Sequence, residues 1–538
     1  MTDRTATSRA LAVTSSHTEA ALAAHAPHLL DGYEDALGAA ADTVGRRLRG
    51  ALVREDIGDA RARNAGQGTA HGFDRVEFAT SGVPDPVELL GRLDAPGFAA
   101  ELRNAVVNLA IAVARQRPVI EDGDPDGDAT AQERLAVAGH NLHPCGRTRL
   151  GWDTTDVLAY DLEAGPVTAG FVAVRDDVHL GDDVGAALRD AYPQLPSVPD
   201  GYRLQPVHPW QRDAVLRRRY RDLVDDGALL ILDAELPAIT TASLRTLLLP
   251  PGADGLRRYV KVSLDIQVTS TRRSISVAST RNGPAVSALL ETLVAADPDG
   301  HRLLLLDETA GAAVPAGSGR DVAAILRGGL TGRLEAKERP VTGIALPFLV
   351  PDLVGEYART TARPDDAAAA LSWFDAYARL LLPLVLRLTG HGVALEAHLQ
   401  NCLPTFRGGV PHRMGVRDFA GLRLHPGRLA AAGHTLSLWP GSVVSTDDEN
   451  VLRAKIGYTA FQAHLGELVI RLGRTHGLDE DTAWRTVRAV VDETYDGHGT
   501  DHAAFTAARV PHKALVRMRL DGHGDQYVQV RNPLHAPA

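Results

Sequence analysis

The amino-acid sequence predicts an α+β fold with a helical N-terminal domain, an antiparallel-sheet middle domain and a mixed, largely helical C-terminal domain. Three observations carry this. Up to Arg115 apolar residues recur at helical spacing, as Leu102, Val106, Leu109 and Val113 do. Between about Leu150 and Val277 the period shortens to two, most clearly in 259–270, where Val260, Val262, Leu264, Ile266 and Val268 alternate with Lys261, Ser263, Asp265, Gln267 and Thr269. Beyond Pro284 long helical patterns return.

Taken in order, helices are expected over 19–30, 33–52, 87–93 and 98–115. The acidic, Gly/Pro-bearing segment 121–128 marks a boundary. Strands follow at 156–160, 167–175, 242–249 and 259–268, with a helix near 210–224. Residues 250–255 join two of the strands as a hairpin. Helices are expected again at 285–296, 322–330 and 365–389, then a β-like block at 393–419 and a helical end. This places domains at 1–135, 136–284 and 285–538.

Composition narrows the function. The 538 residues are 44% hydrophobic and 23% charged, with a net charge of −10, which argues against a general nucleic-acid binder. Cys145 and Cys402 are too few for a disulfide framework, a Cys₄ zinc site or an iron–sulfur cluster. Residues 1–10 lack the apolar region of a signal peptide, and the apolar runs 104–114 and 380–386 are shorter than the roughly 18 residues of a membrane span. A cytoplasmic protein without membrane contact is expected. Lys261, Lys337, Lys455 and Lys513 are the only lysines beside 53 arginines. A lysine kept in so biased a chain marks a place for a compact ammonium, although most of the four are expected on the surface.

Three constellations carry chemistry. In the first, pairing of 242–249 with 259–268 brings Arg245 towards Lys261, with Arg273 at the strand's end and the hydroxyls of Ser243, Thr246 and Thr269 nearby. Three cations among hydroxyls suit a triphosphate, although no Walker A loop is present; an ordinary half-exposed strand would show the same alternation. In the second, Glu396, His398 and Gln400 alternate on one face, Asn401 follows, and Asp418 comes after an apolar turn. A carboxylate, an imidazole, two amides and a second carboxylate suit Mg²⁺ with a nucleotide; a polar edge strand with a structural Asp is the alternative. The third is the loop of His140, His143, Arg147 and Arg149. It lacks a third zinc ligand and reads better as an anion-binding element. Asp122, Asp124, Asp126 and Glu133 match a calcium-binding EF-hand loop by residue type, but Pro125 and Ala129 do not fit and no second hand is visible; the segment reads as an acidic linker, with calcium binding left open.

In order along the chain, G-H-N-L-H-P-C-G-R-T-R-L-G (139–151), V-H-P-W-Q (207–211), S-L-R-T (243–246), K-V-S-L-D-I-Q-V-T-S-T-R-R (261–273), E-A-H-L-Q-N (396–401) and R-D-F-A-G (417–421) resemble the NRPS-independent siderophore synthetases, the family of the aerobactin synthetases IucA and IucC. Two positions depart from the family's H-P-x-H-P-x-x-K: Asn141 stands for a proline and Arg147 for the lysine. The resemblance implies a hand-like fold of thumb, fingers and palm, a homodimer, and an ATP- and Mg²⁺-dependent ligase. Such an enzyme adenylates a carboxylic acid, citrate or a derivative, and condenses it with an amine, hydroxylamine or alcohol, releasing AMP and pyrophosphate. It implies that Ser243, Arg245, Thr246, Lys261 and Arg273 hold the phosphates, and that His398, Gln400, Asn401, Asp418, His143 and Arg147 complete the ATP site. Glu396 and Asp418 would bind Mg²⁺. Arg273, His398, His140, Arg149 and Thr269 would receive the acid, and His398, Arg273 and Lys261 would be catalytic. The rival readings are a kinase-like, ADP-forming phosphotransferase and an iron-handling protein.

Overall fold

The computed structural model describes residues 9–121, 123–522 and 524–535; residues 1–8, and with them most of the signal-peptide question, lie outside it, as does Asp122. The N-terminal part is helical as expected. Helix Leu30–Glu55 lays Tyr33, Ala36, Ala40, Val44 and Leu48 into one core with Leu102, Ala105, Val106 and Leu109 of helix Pro96–Ala114. The small residues at every fourth position let the two helices approach closely. A hairpin, Thr69–His71 with Arg75–Glu77, was not foreseen, and 87–93 is a short 3₁₀ turn, Pro86–Leu90.

The middle of the chain builds an eight-stranded antiparallel sheet. Its order is Leu180–Gly181, Glu308–Ala313, Ala323–Gly328, Arg258–Val262, Thr246–Leu248, Leu229–Thr240, Pro166–Arg175 and Tyr202–Val207. Two of these strands come from beyond residue 284, so the sheet straddles that boundary. The expected hairpin is present, with Thr246 opposite Lys261. Two assignments reverse. Residues 322–330 contain the strand Ala323–Gly328 rather than a helix, because a short apolar run reads equally as either. Residues 156–160 lie in the helix Thr154–Tyr160, started by a reciprocal capping box between Asp153 and Asp156.

The alternating segment 259–268 is two strands in two sheets. Arg258–Val262 belongs to the large sheet, whereas Leu264–Val268 pairs with Thr271–Arg273 and Arg149–Leu150. Ser263 marks the change: its hydroxyl donates to the Arg320 carbonyl at 2.7 Å and accepts from the Ile275 amide at 3.3 Å. The half-exposed strand is therefore excluded, since Lys261, Ser263 and Asp265 are all buried.

The C-terminal part packs helices Leu346–Thr360, Ala367–Gly390 and Glu480–Thr494 around Trp373, Phe374 and Tyr377, with a four-stranded sheet containing Cys402–Arg407 and Val410–Val416 beside them. Two helices, Pro96–Ala114 and Ala367–Gly390, are long and apolar enough to cross a membrane, contrary to the run lengths read from sequence, but both are mostly buried, the first in the N-terminal core and the second in the C-terminal one.

The acidic segment is no linker. Pro125–Gln132 is helical, and fully buried Asp126 accepts hydrogen bonds from Tyr259 Oη (3.0 Å), the Leu330 amide (2.8 Å), the Thr331 amide (2.8 Å) and Thr331 Oγ1 (2.6 Å). Glu133 accepts from the Ala242 amide and from Arg417. Both carboxylates thus clamp the N-terminal part to the sheets and present no open ligand set for calcium. Asp126→Ala leaves several buried donors unpaired and is expected to cost about 3–5 kcal/mol, read as a fall in Tm; added calcium is expected to leave the wild-type Tm unchanged.

Candidate active site

A cavity of about 390 Å³ opens where the three parts of the chain meet. Helix Leu30–Glu55 contributes Arg46 and Arg47, the loop 139–142 contributes His140 and Asn141, the second small sheet contributes Val268, Thr269 and Arg273, and the C-terminal part contributes His398, Gln400 and Glu467. The chemistry of each wall follows from local geometry. His140 Nδ1 accepts from the amides of Leu142 and His143, both at 3.1 Å, which fixes the proton on Nε2. Asn141 donates to the Ala463 carbonyl and to Glu467, both at 3.0 Å, so this loop is tied to the C-terminal helices. Thr269 has φ 57° and its Oγ1 accepts from Arg273 at 3.2 Å. Burial, with Arg245 and Arg149 nearby, pushes the Arg273 guanidinium down to about 9.

Of the residues expected to hold phosphates, Arg273 lines the cavity, while Ser243, Arg245, Thr246 and Lys261 gather beside it. Lys261 is 2% exposed, and its Nζ lies 2.6 Å from Asp418 Oδ1 and 3.8 Å from Glu308 Oε1. Asp418 has φ 66° and opens the 3₁₀ turn Phe419–Gly421. Despite burial, Lys261 and Arg245 hold its carboxyl far below the usual range. Arg245 donates to the carbonyls of Arg273 (3.0 Å) and Ser274 (2.9 Å), linking the phosphate side to the cavity. Residues 241–245 form a turn with Leu244 at φ 65°, not a strand. In it Ser243 Oγ accepts from the Thr246 amide at 3.2 Å and shares a hydrogen bond with Thr241 Oγ1.

Several expected roles need correction. Arg147 pairs with Asp161 and Glu163, and Arg149 pairs with Asp161, all within the protein. Both arginines line the cavity, but their guanidiniums are already engaged, so the loop does not offer them to an anion. His143 is off the wall: its Nδ1 accepts from the Cys145 amide at 2.9 Å. The motif 396–401 does not continue as an extended strand. A 3₁₀ turn at Leu399–Asn401 breaks the alternation, so His398 and Gln400 face the cavity while Glu396 turns to Lys455 Nζ at 3.0 Å. Asn401 Nδ2 donates to the Glu396 carbonyl at 3.2 Å. His398 stays close to Glu396, at 3.9 Å; burial lowers its pKa below the ordinary value and Glu396 partly opposes this, so at neutral pH the ring is a base.

Sequence reasoning missed Glu308, Arg327 and Lys455. Arg327 is buried, stacks on Tyr259 with its Cζ 4.6 Å from the ring centre, and faces Asp418 and Glu308. Three of the four lysines, Lys261, Lys455 and Lys513, sit in ion pairs around the site, and Lys337 alone is exposed. The expectation that most were ordinary surface residues is thus reversed.

The site is also bordered by histidines that burial keeps neutral. His143 is lowered to about 3 and His464 to about 4, and His140 and His512 are lowered strongly as well. The unfolded chain takes up these protons near pH 6.5 whereas the native state refuses them. Stability is therefore expected to fall as pH drops below about 6.5 and to keep falling towards 3, with the denaturation midpoint in urea as the measurement.

A family model described as the IucA / IucC family matches residues 128–347, which contain the large sheet, Arg273 and Lys261. Over those residues the chain is similar to the IucA / IucC family. A second model, described as the ferric iron reductase FhuF-like transporter, matches residues 371–528. The chain is 25% identical to a D-ornithine–citrate ligase of Staphylococcus aureus over 503 residues, covering 81% of this chain and 76% of the relative. It is 23% identical to the staphyloferrin A synthase of the same organism over 442 residues, covering 77% and 74%. Among solved structures, the petrobactin biosynthesis protein AsbB of Bacillus anthracis matches with a TM-score of 0.77 at 19% identity, over 95% of this chain and 97% of that one. The ATP-bound aerobactin synthetase IucA of Klebsiella pneumoniae matches with a TM-score of 0.73 at 20% identity, over 92% and 100%. These structures share the α+β fold of this chain.

Proposed function

We propose that this chain is an ATP- and Mg²⁺-dependent ligase of siderophore biosynthesis that adenylates a carboxylic acid, citrate or a citrate derivative, and condenses it with an amine, hydroxylamine or alcohol. The observation that carries the reading is the junction itself. Lys261, Arg245 and Asp418 cluster beside a cavity whose near wall holds Arg273 and His398, so a triphosphate and an acid have adjoining places. Relatives named for joining citrate to an amine support the substrate class, and the likeness to an ATP-bound family structure supports the nucleotide. A cytoplasmic location and a homodimer belong to the same reading.

In the first step a substrate carboxylate oxygen bonds to the α-phosphorus and the bond to the β-phosphate oxygen breaks. Lys261 and Arg245 offset the charge that passes to pyrophosphate, and Arg273 stands between the two subsites, where it can hold the acid's oxygens. In the second step the nucleophile attacks the acyl carbon, the acyl–phosphate bond breaks and AMP leaves. Neutral His398 takes the proton of the attacking group. Mg²⁺, when bound, neutralises phosphate charge and orients the pyrophosphate leaving group; Asp418 fits as one of its ligands, while Glu396 is already paired with Lys455.

Incubation with ATP, Mg²⁺, hydroxylamine and a panel of carboxylic acids tests the reading. Acid-dependent AMP, pyrophosphate and hydroxamate are the expected products. ADP would instead establish the phosphotransferase. A redox role has weaker support: Cys145 and Cys402 are fully buried in separate core clusters, and burial pushes both thiols well above their usual range.

A further inference from the structure

Glu308 is the one acidic residue of the phosphate side that no motif announced. It is 1% exposed, and neither of its carboxylate oxygens has a hydrogen-bond partner among the described residues. Its main chain is held: the amide donates to Ser287 Oγ at 2.9 Å at the start of the strand Glu308–Ala313. Gly283 of the helix Val277–Ala296 makes room for it, since a Cβ at that position would come within 2.4 Å of Glu308 Oε2. One carboxylate oxygen thus lies against Gly283 and the other faces Lys261. A buried carboxylate with no close hydrogen bond is costly unless a cation faces it, and the Phe419 amide eases this only in part. Here the nearest cation is the Lys261 ammonium, 3.8 Å away and engaged more closely by Asp418 at 2.6 Å.

We propose that Glu308 and Asp418 are the two carboxylates of the divalent-cation site, and that Glu308 takes the place expected of Glu396. This rests on the MgATP reading given above. Hard divalent cations take oxygen ligands, and Mg²⁺ bound with a nucleotide uses one or two carboxylates beside phosphate oxygens. Two carboxylates sharing a single ammonium form such a pair, and the cation's arrival supplies the charge that Glu308 lacks while releasing Lys261 to the phosphates. Glu396 has no such deficit. Its Oε1 accepts from Lys455 at 3.0 Å, and it packs on Gly421 so closely that a Cβ there would come within 2.0 Å of Oε2.

The test is Mn²⁺ binding by the full chain in the presence of α,β-methylene-ATP, which cannot release pyrophosphate, followed by electron paramagnetic resonance, with nucleotide affinity measured separately with and without metal. Glu308→Gln is expected to weaken Mn²⁺ about tenfold or more while metal-free nucleotide binds as well as or better than in the wild type. Glu308→Asp, which keeps the charge but withdraws it by one methylene, is expected to fall between the two. Glu396→Gln is expected to keep wild-type Mn²⁺ affinity. Thermal melts show which variants are folded. Wild-type Mn²⁺ affinity in both folded Glu308 variants, or loss of affinity in Glu396→Gln alone, would overturn the assignment and leave Glu308 a support for Lys261. Failure of the wild type to bind the nucleotide at all would overturn the MgATP reading itself.

Discussion

Lys261→Ala is expected to lower acid-dependent pyrophosphate release by about three orders of magnitude, because it removes the ammonium on which the phosphate side is centred. The structure adds a second consequence. Lys261 is the partner of Asp418 and the nearest cation to Glu308, so its loss leaves a buried and a half-buried carboxylate facing each other. A fall in stability of about 3–5 kcal/mol is expected with it, and the turnover assay belongs below the melting temperature found for the variant. Lys261→Arg is expected to restore little activity, since a planar guanidinium does not fit a space shaped for a compact ammonium. Near-normal pyrophosphate release by folded Lys261→Ala protein would remove Lys261 from the phosphate site.

The second large effect is expected at Asp418. Asp418→Asn keeps the side-chain volume but removes the charge that Lys261 meets at 2.6 Å. Turnover at saturating Mg²⁺ should fall by about 10²–10³, and the Mg²⁺ concentration needed for half-maximal rate should rise. Lys261 keeps Glu308 as a counter-ion, so this variant should remain more stable than Lys261→Ala. An unchanged Mg²⁺ requirement would exclude Asp418 as a ligand, whatever happened to the rate.

The sequence made the parts of this site legible where a motif and a local period coincide. Lys261 and Arg245 are legible as neighbours once the two strand-like runs pair as a hairpin, and His398 and Asp418 are legible from the alternation of 396–400 and the apolar turn before 418. What escaped notice depends on distant partners. Nothing local shows that the pleat continuing through Ser263 crosses from one sheet to another, because alternation is indifferent to which strand lies alongside. Arg147 and Arg149 look available until Asp161 and Glu163 fold back over them. Asp126 and Glu133 look like a solvated acidic run until their donors arrive from residues 242, 259, 330, 331 and 417. Glu308 carries a faint signal, a carboxylate just after four leucines, but only the packing of the 277–296 helix gives it direction.

The distribution of lysines makes the protein its own spectroscopic reporter. Selective ¹⁵N-lysine labelling of this long chain gives four side-chain sites, an uncrowded set for so large a molecule. Three of them, on Lys261, Lys455 and Lys513, are held against Asp418, Glu396 and Asp525 around one cavity, and the exposed fourth, on Lys337, serves as an internal reference. Each ammonium should exchange slowly while its carboxylate holds it and shift when that partner is drawn elsewhere. Nucleotide, cation and acid can then be added one at a time, and the order in which the three signals move would give the order in which the subsites fill.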